Sequence, residues 1–348
     1  MTGKVKNMRI ERNEGILDFF DRCLTAVQNE YKNEFIGAYV DHDNELELQE
    51  QMQEAGFQEF GDDRSKWPSL FISAEAYQKT PYQSTIRLDT IKHQDFKFTR
   101  ELMPANELFH VSSIHYDNNR ELGDWMTLRA LDQPYEAAVL WQNDEVWMLD
   151  SPSEANTIDP CAAKAKGNVL AFGLGIGYFI FMAMRNPNVT SITVIERSKE
   201  VIAMFQEFLL PQFPDHIPIQ IVEGDAFSYF NEAYLKQFDY VFTDIWKSSD
   251  DGFQLIAQLL EQYNPPLDQV DFWIESSCFE FMPTLIFYYF KEMSQGKKIQ
   301  HPDPVYQHVL QKIEAYFKRI DDTVSTVDQL KYFMYDTAVL REIASMNV

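Results

Sequence analysis

Residues 168–197 carry the spacing with the clearest chemical use: an apolar run, Val169 to Phe172, breaks into Gly173-Leu174-Gly175-Ile176-Gly177 and continues as Tyr178 to Met184. Three glycines at alternate positions allow a tight turn and let a ligand approach bare backbone. A helix opening straight after such a turn aims unpaired N–H groups and the positive end of its dipole at that ligand. Thr193-Val194-Ile195-Glu196 is the next strand-like run, and Glu196 falls 23 residues after Gly173. A carboxylate at that point accepts both hydroxyl protons of a ribose. The segment reads as one β-turn-α-β unit with a nucleotide site.

Two further acidic signals follow in order. Pro218 to Val222 leads into Glu223-Gly224-Asp225-Ala226-Phe227, and Phe238 to Thr243 leads into Asp244-Ile245-Trp246. In an open parallel sheet ligands bind outside the carboxyl ends of the strands, so Gly173, Glu196, Asp225 and Asp244 should converge on one edge. Singly, each carboxylate reads as a solvated loop residue or a helix cap; four signals in register do not. Three rivals compete. A membrane span over Asn168 to Met184, flanked by Lys166 and Arg185, is short of the ~20 apolar residues it needs. A dinucleotide-binding unit wants a third glycine at position 178, which is Tyr. A turn without ligand is what the glycines alone would leave open.

This series resembles the class I S-adenosylmethionine-dependent methyltransferases and their relatives the spermidine synthases, over roughly residues 150–275. The resemblance implies that Gly173, Leu174, Gly175, Gly177 and Tyr178 surround the methionine part of S-adenosylmethionine. It implies that Glu196, followed by Arg197, holds the ribose, that Asp225 and Ala226 contact the adenine, and that Asp244 faces the reacting centre. Three departures matter. Ala171 stands where many members carry an acid, Ile176 stands where spermidine synthases place an Asp in the turn, and Lys247 stands where they have a second Asp. An ammonium at position 247 would repel a cationic polyamine.

The expected activity is therefore methyl transfer to a small molecule or a protein side chain, with Asp244 as the catalytic residue and Trp246 walling the substrate pocket. Tyr178, Trp246 and Trp273 are the aromatics expected at the ligand edge. Asp244 would orient or deprotonate the acceptor, because the sulfonium already makes the methyl group electrophilic. The alternatives are a spermidine synthase-like aminopropyltransferase using decarboxylated S-adenosylmethionine, and a non-catalytic binding protein that retains the fold.

Composition narrows the partners. The chain has 348 residues, 45% of them hydrophobic, and a formal net charge of −24. That charge argues against a nucleic-acid partner, which needs a clustered basic surface. Cys23, Cys161 and Cys278 are too few and too scattered for a disulfide framework, and Met1 to Glu14 lacks a signal-peptide core, so the expected address is the cytoplasm, away from membranes. His110 and His115, read as opposite faces of one strand, give no metal-binding spacing, and no metal is expected. A homo-oligomer is compatible with the sequence.

The elements that must position these residues form an α/β chain: a Rossmann-like, doubly wound, mainly parallel sheet over 151–275, an N-terminal helical then β-rich domain over 1–150, and a mainly helical C-terminal extension over 276–348. The N-terminal part predicts helices at Leu17–Tyr31 and Leu46–Ala55, the second ending at Gly56. It predicts strands at Thr85–Ile91, Phe109–Tyr116 and Trp125–Leu131, and a hairpin of Tyr135–Trp141 with Glu145–Leu149 around Asn143-Asp144. Ser151-Pro152-Ser153-Glu154 reads as a capping box for a helix to about Lys164, which suffices to account for Glu154; the alternative is that Glu154 reaches the cofactor. Gln254–Tyr263 should be a helix, Asn264-Pro265-Pro266-Leu267 its stop, and Val270–Ile274 the fifth strand. Helices are expected at Met282–Met293 and Val305–Arg319. The hairpin that usually closes this sheet is not evident: either it is hidden near the C-terminus or helices cover the edge.

Overall fold

The apolar runs around the glycine turn become a parallel sheet of β1 (Gly167–Phe172), β2 (Val189–Glu196), β3 (Ile219–Glu223), β4 (Tyr240–Thr243) and β5 (Val270–Phe272), in spatial order β3-β2-β1-β4-β5. The computed structural model describes residues 8–27, 33–88, 92–93, 96–117, 119–214 and 217–348. Val169 to Phe172 and all of β4 are buried, which is why these strands are unbroken apolar runs rather than alternating ones. The chain reverses its direction of travel across the sheet between β1 and β4, and such a reversal opens a crevice at the carboxyl ends of the two strands. Phe172 pairs in register with Ile195 on one side and Thr243 on the other, and Glu196 with Glu223. Gly173, Glu196, Gly224 and Asp244 therefore leave the sheet at one level.

Tyr178–Met184 is the helix expected after the glycine turn, and Phe179 on it stacks on Phe242 of β4 at 4.1 Å between ring centres. This contact fixes the helix start over the sheet. Among the described residues no helix is long and apolar enough to cross a membrane, and the uncharged segment 168–184 is strand, turn and short helix instead.

Ahead of the sheet, Glu145–Leu149, Tyr135–Gln142, Phe96–Met103 and Lys92–His93 form an antiparallel sheet in that order. The hairpin forms around Asn143 and Asp144, both at positive φ (49° and 66°), the geometry of a tight two-residue turn. The other strand expectations need correction. Pro81–Thr85 is a short helix because Pro81 is set in its first turn; residues 89–91 of the expected strand lie outside the described residues. Phe109–His110 and His115–Tyr116 are separate strands in different sheets, so the two histidines do not share a strand; Asp124–Trp125 and Leu128–Leu131 are likewise separate. The helices are Glu14–Val27 and Glu45–Glu54, with Gly56 at φ 91° behind the second; residues 28–31 of the first expected helix lie outside the described residues.

One hydrophobic core runs from Met8 and Phe19 through the parallel sheet to Ile343 and Ala344, and a second, smaller one gathers around Met52, Phe57 and Leu70. Behind β5 come the helices Glu275–Cys278, Met282–Ser294, Pro304–Phe317, Val327–Tyr335 and Thr337–Ala344. They cover the sheet edge, and Arg341 seals it: its guanidinium donates to the Val270 carbonyl at 2.9 Å, grips Glu275 at 2.6 and 2.7 Å, and lies over the Phe272 ring. A buried Arg held this way is costly to disturb, because removing either partner strands the other charge.

Candidate functional site

The glycine turn is held by contacts that only glycine permits. Gly173 has φ 94°, donates its N–H to the Ile195 carbonyl at 3.0 Å, and a Cβ there would sit 2.0 Å from the carbonyl oxygen of Asp244. The turn and the end of β4 are thus in backbone contact. Gly177, at φ 75°, opens the helix, and a Cβ on it would lie 2.6 Å from the Phe205 ring.

Glu196 bridges the turn and the end of its own strand. Its Oε2 accepts from Leu174 N–H at 3.0 Å and its Oε1 from Ser198 N–H at 2.7 Å. Burial pushes its carboxyl above the usual range, while the N–H groups of Ser198, Leu174 and Arg197 pull it back. A carboxylate has about four acceptor sites, so each oxygen keeps capacity for a hydroxyl donor.

Asp244 follows β4 directly, its N–H bonded to the Phe172 carbonyl at 2.9 Å. Burial, with the negative charges of Asp251 and Glu196 nearby, raises its carboxyl to about 7. Asp251 is tied down as the capping-box acid of the helix Ser249–Gln262. Across the crevice Glu154, in the first turn of the helix Pro152–Lys164, is raised to about 8 by burial and by the charges of Asp244 and Asp150. Two carboxyl groups whose surroundings lift them toward neutral pH are matched to proton transfer at that pH.

A small cavity, with room for about one water molecule, lies beside the turn, walled by Tyr77, Glu154, Ile158, Ile176, Tyr178 and the hairpin end Met148 to Asp150. Asp150 is fixed by three donors: Tyr77 at 3.0 Å, Gln83 at 2.8 Å and Tyr135 at 2.9 Å. The Met148 thioether covers the turn, accepting from Ile176 N–H at 3.3 Å and standing 2.8 Å from where a Gly175 Cβ would be. Sulfur is a weak acceptor, so this N–H is cheaply released to a better one. Tyr77, Met148 and Asp150 escaped the sequence reasoning. The available signal was positional, since the hairpin runs straight into the helix that precedes β1.

The remaining expected residues are placed as follows. Tyr178 walls the pocket and donates to Asp159 at 2.9 Å. Asp225 is exposed and caps the short helix Ala226–Tyr229, with Ala226 buried behind it, and Arg197 is exposed beside Glu196. Trp246 is buried against Gly252 and Phe272, and Trp273 donates to Thr157 at 2.9 Å. Lys247 turns outward: its ammonium pairs with Glu145 at 2.9 Å and lies over the Trp147 ring, so it brings no positive charge into the pocket.

No family model matches the chain, and no curated relative matches it. Solved structures similar to it include a probable spermidine synthase from Corynebacterium glutamicum, at 11% identity and TM-score 0.29, covering 52% of this chain and 62% of that one. The spermidine synthase from Thermotoga maritima is similar at 13% identity and TM-score 0.27, covering 51% and 60%. The shikimate dehydrogenase of Mycobacterium tuberculosis is similar at 15% identity and TM-score 0.22, covering 44% and 61%. The chain thus spans less than two thirds of the length of each.

Proposed function

We propose that the chain is an S-adenosylmethionine-dependent methyltransferase on a Rossmann-like, doubly wound core, acting on a small molecule or a protein side chain. The observation that carries this reading is Asp244. It is a carboxylate raised to about 7, at the switch point of the sheet, in backbone contact with the glycine turn through its own carbonyl. The residues fit an adenosyl ligand: the turn has no room for side chains, Glu196 keeps acceptor capacity for ribose hydroxyls, and Ile176 N–H is held only by a thioether.

When bound, S-adenosylmethionine supplies an electrophilic methyl group on sulfur. The protein's share is positional. Glu196 holds the ribose edge, the turn packs against the thioether region once Met148 yields, and Asp244 accepts a proton from the acceptor nucleophile and orients its lone pair. The helices and hairpin that close the pocket keep water from competing.

Aminopropyl transfer is the second reading, favoured by the outward turn of Lys247. The repulsion that position 247 would exert on a cationic substrate is absent when its ammonium is paired with Glu145, and Glu154 and Asp244 leave the crevice acidic. Incubation with an acceptor library and either S-adenosylmethionine or its decarboxylated form separates the two. Release of S-adenosylhomocysteine supports methyl transfer; release of methylthioadenosine supports aminopropyl transfer.

A further inference from the structure

Met148 reaches the glycine turn because its strand carries one extra residue. Val146 pairs with Trp141 and Met148 with Leu140, so Trp147 is a bulge between them. In an unbroken strand Met148 would share the exposed face of Val146, two residues earlier. The bulge moves it to the buried face of Leu140 and aims its thioether at the turn, the re-aiming that bulges serve beside active sites. There the sulfur takes the Ile176 N–H at 3.3 Å, and sulfur and methyl both stand 2.8 Å from where a Gly175 Cβ would be. With room for about one water molecule in the cavity that Met148 walls, no ligand shares the turn with it.

The strand that carries Met148 is built to let go. Glu145–Leu149 is an edge strand, paired on one side only among the described residues. Its base is fixed through Asp150, whereas its tip is latched by Lys247, three residues past Asp244, through Glu145 at 2.9 Å and the Trp147 ring at 5.3 Å. An exposed ion pair and a cation over a ring are each weak. Closure also carries a cost at the helix that follows: Ser151 Oγ accepts from Glu154 N–H at 3.3 Å, but no bond returns from the Glu154 carboxylate to complete the expected capping box, and its Oε2 is buried without a partner. We propose that Met148 is the chain's own occupant of the glycine turn, an autoinhibitory contact that a thioether ligand displaces, and that the Lys247 latch sets how often the strand opens. Which ligand replaces it rests on the proposed adenosyl reading, whereas the contact itself does not.

The full chain, Met148→Ala and Lys247→Gln are compared by calorimetric titration with S-adenosylhomocysteine and by residue-resolved hydrogen exchange without ligand. Both variants should bind about threefold tighter or more, the gain from an open fraction of about one third in the wild type. Both should exchange faster at Ile176, while Gly173 and Leu174, held by Ile195 and Glu196, keep their rates. Unchanged exchange at Ile176 in both variants overturns the contact. Faster exchange with unchanged or weaker affinity makes Met148 a wall of the ligand site and overturns the autoinhibition. A change in Met148→Ala alone removes Lys247 as the latch. If no form binds S-adenosylhomocysteine, the proposed function fails, and exchange at Ile176 alone decides the Met148 contact. Should Met148→Ala misfold, the exposed Lys247→Gln reads the same two quantities.

Discussion

Leu174 N–H donates to Glu196 Oε2 at 3.0 Å, so the acid at the end of β2 is also the strap of the glycine turn. The group that would receive the ribose is already aligned by the backbone that would receive the rest of the ligand. Glu196→Ala should therefore do two things: weaken an adenosyl ligand by about 1 to 3 kcal/mol, and lower the melting temperature by freeing the N–H groups of Leu174 and Ser198. Calorimetry and thermal melting read the two effects separately. A lower melting temperature with unaltered affinity would leave Glu196 as a strap only.

Asp244→Asn keeps the size of the side chain and removes its basicity. Turnover should fall by at least about a hundredfold, the usual share of a general base, while S-adenosylhomocysteine affinity stays within about threefold. In the wild type kcat/KM should rise with pH through about 7, as Asp244 loses its proton. A pH profile unchanged by the substitution removes Asp244 from proton transfer.

Gly173→Ala should be among the most damaging single-methyl additions. Its φ of 94° disfavours any side chain, and the new Cβ would fall 2.0 Å from the backbone oxygen of Asp244, which cannot move without shifting β4. The expected loss is about 2 to 5 kcal/mol, from strain and overpacking together. Denaturant unfolding checks it. Wild-type stability in the variant would mean that the turn and β4 are further apart than described.

Glu154 and Asp244 make stability depend on pH. Both carboxyls are raised in the folded chain, to about 8 and about 7, so the folded state holds protons that the unfolded state has released. Their favourable contribution is complete at acid pH below the ordinary carboxylate range and is lost as pH rises through about 7 for Asp244 and about 8 for Glu154. Glu154→Gln and Asp244→Asn stay neutral. Each should therefore gain on the wild type by about 1 to 3 kcal/mol between about pH 5 and pH 8.5, a range discounted for the water contact both groups retain. A difference that does not change with pH would contradict the burial of these carboxyls.

The parallel sheet was legible in the sequence because its signals are local. Buried strands are unbroken apolar runs, and Gly173, Glu196, Gly224 and Asp244 each punctuate the end of one. The N-terminal strands were less legible because they are short and their partners are distant: Phe71–Ile72 pairs with Leu128–Leu131, and Arg9–Ile10 with Thr323–Val324. No window of sequence contains both halves of such a pair. The edge cover was hidden for the same reason, since Arg341 acts on Val270 and Glu275. Within the site, the glycine turn and its acids could be read from spacing, whereas the Met148 thioether and the orphaned Glu154 oxygen follow only from three-dimensional packing. Lys247 is the instructive case: its charge was legible, but its direction depended on Glu145 in a distant hairpin.

The central claim is that the turn from Gly173 to Gly177 and the Glu196 carboxylate bind an adenosyl thioether. Calorimetric titration of the purified chain with S-adenosylhomocysteine tests it most directly. Saturable binding at one site per chain is expected, weakened by Glu196→Ala and unaffected by excess NAD. No binding, or binding that NAD displaces, would contradict it.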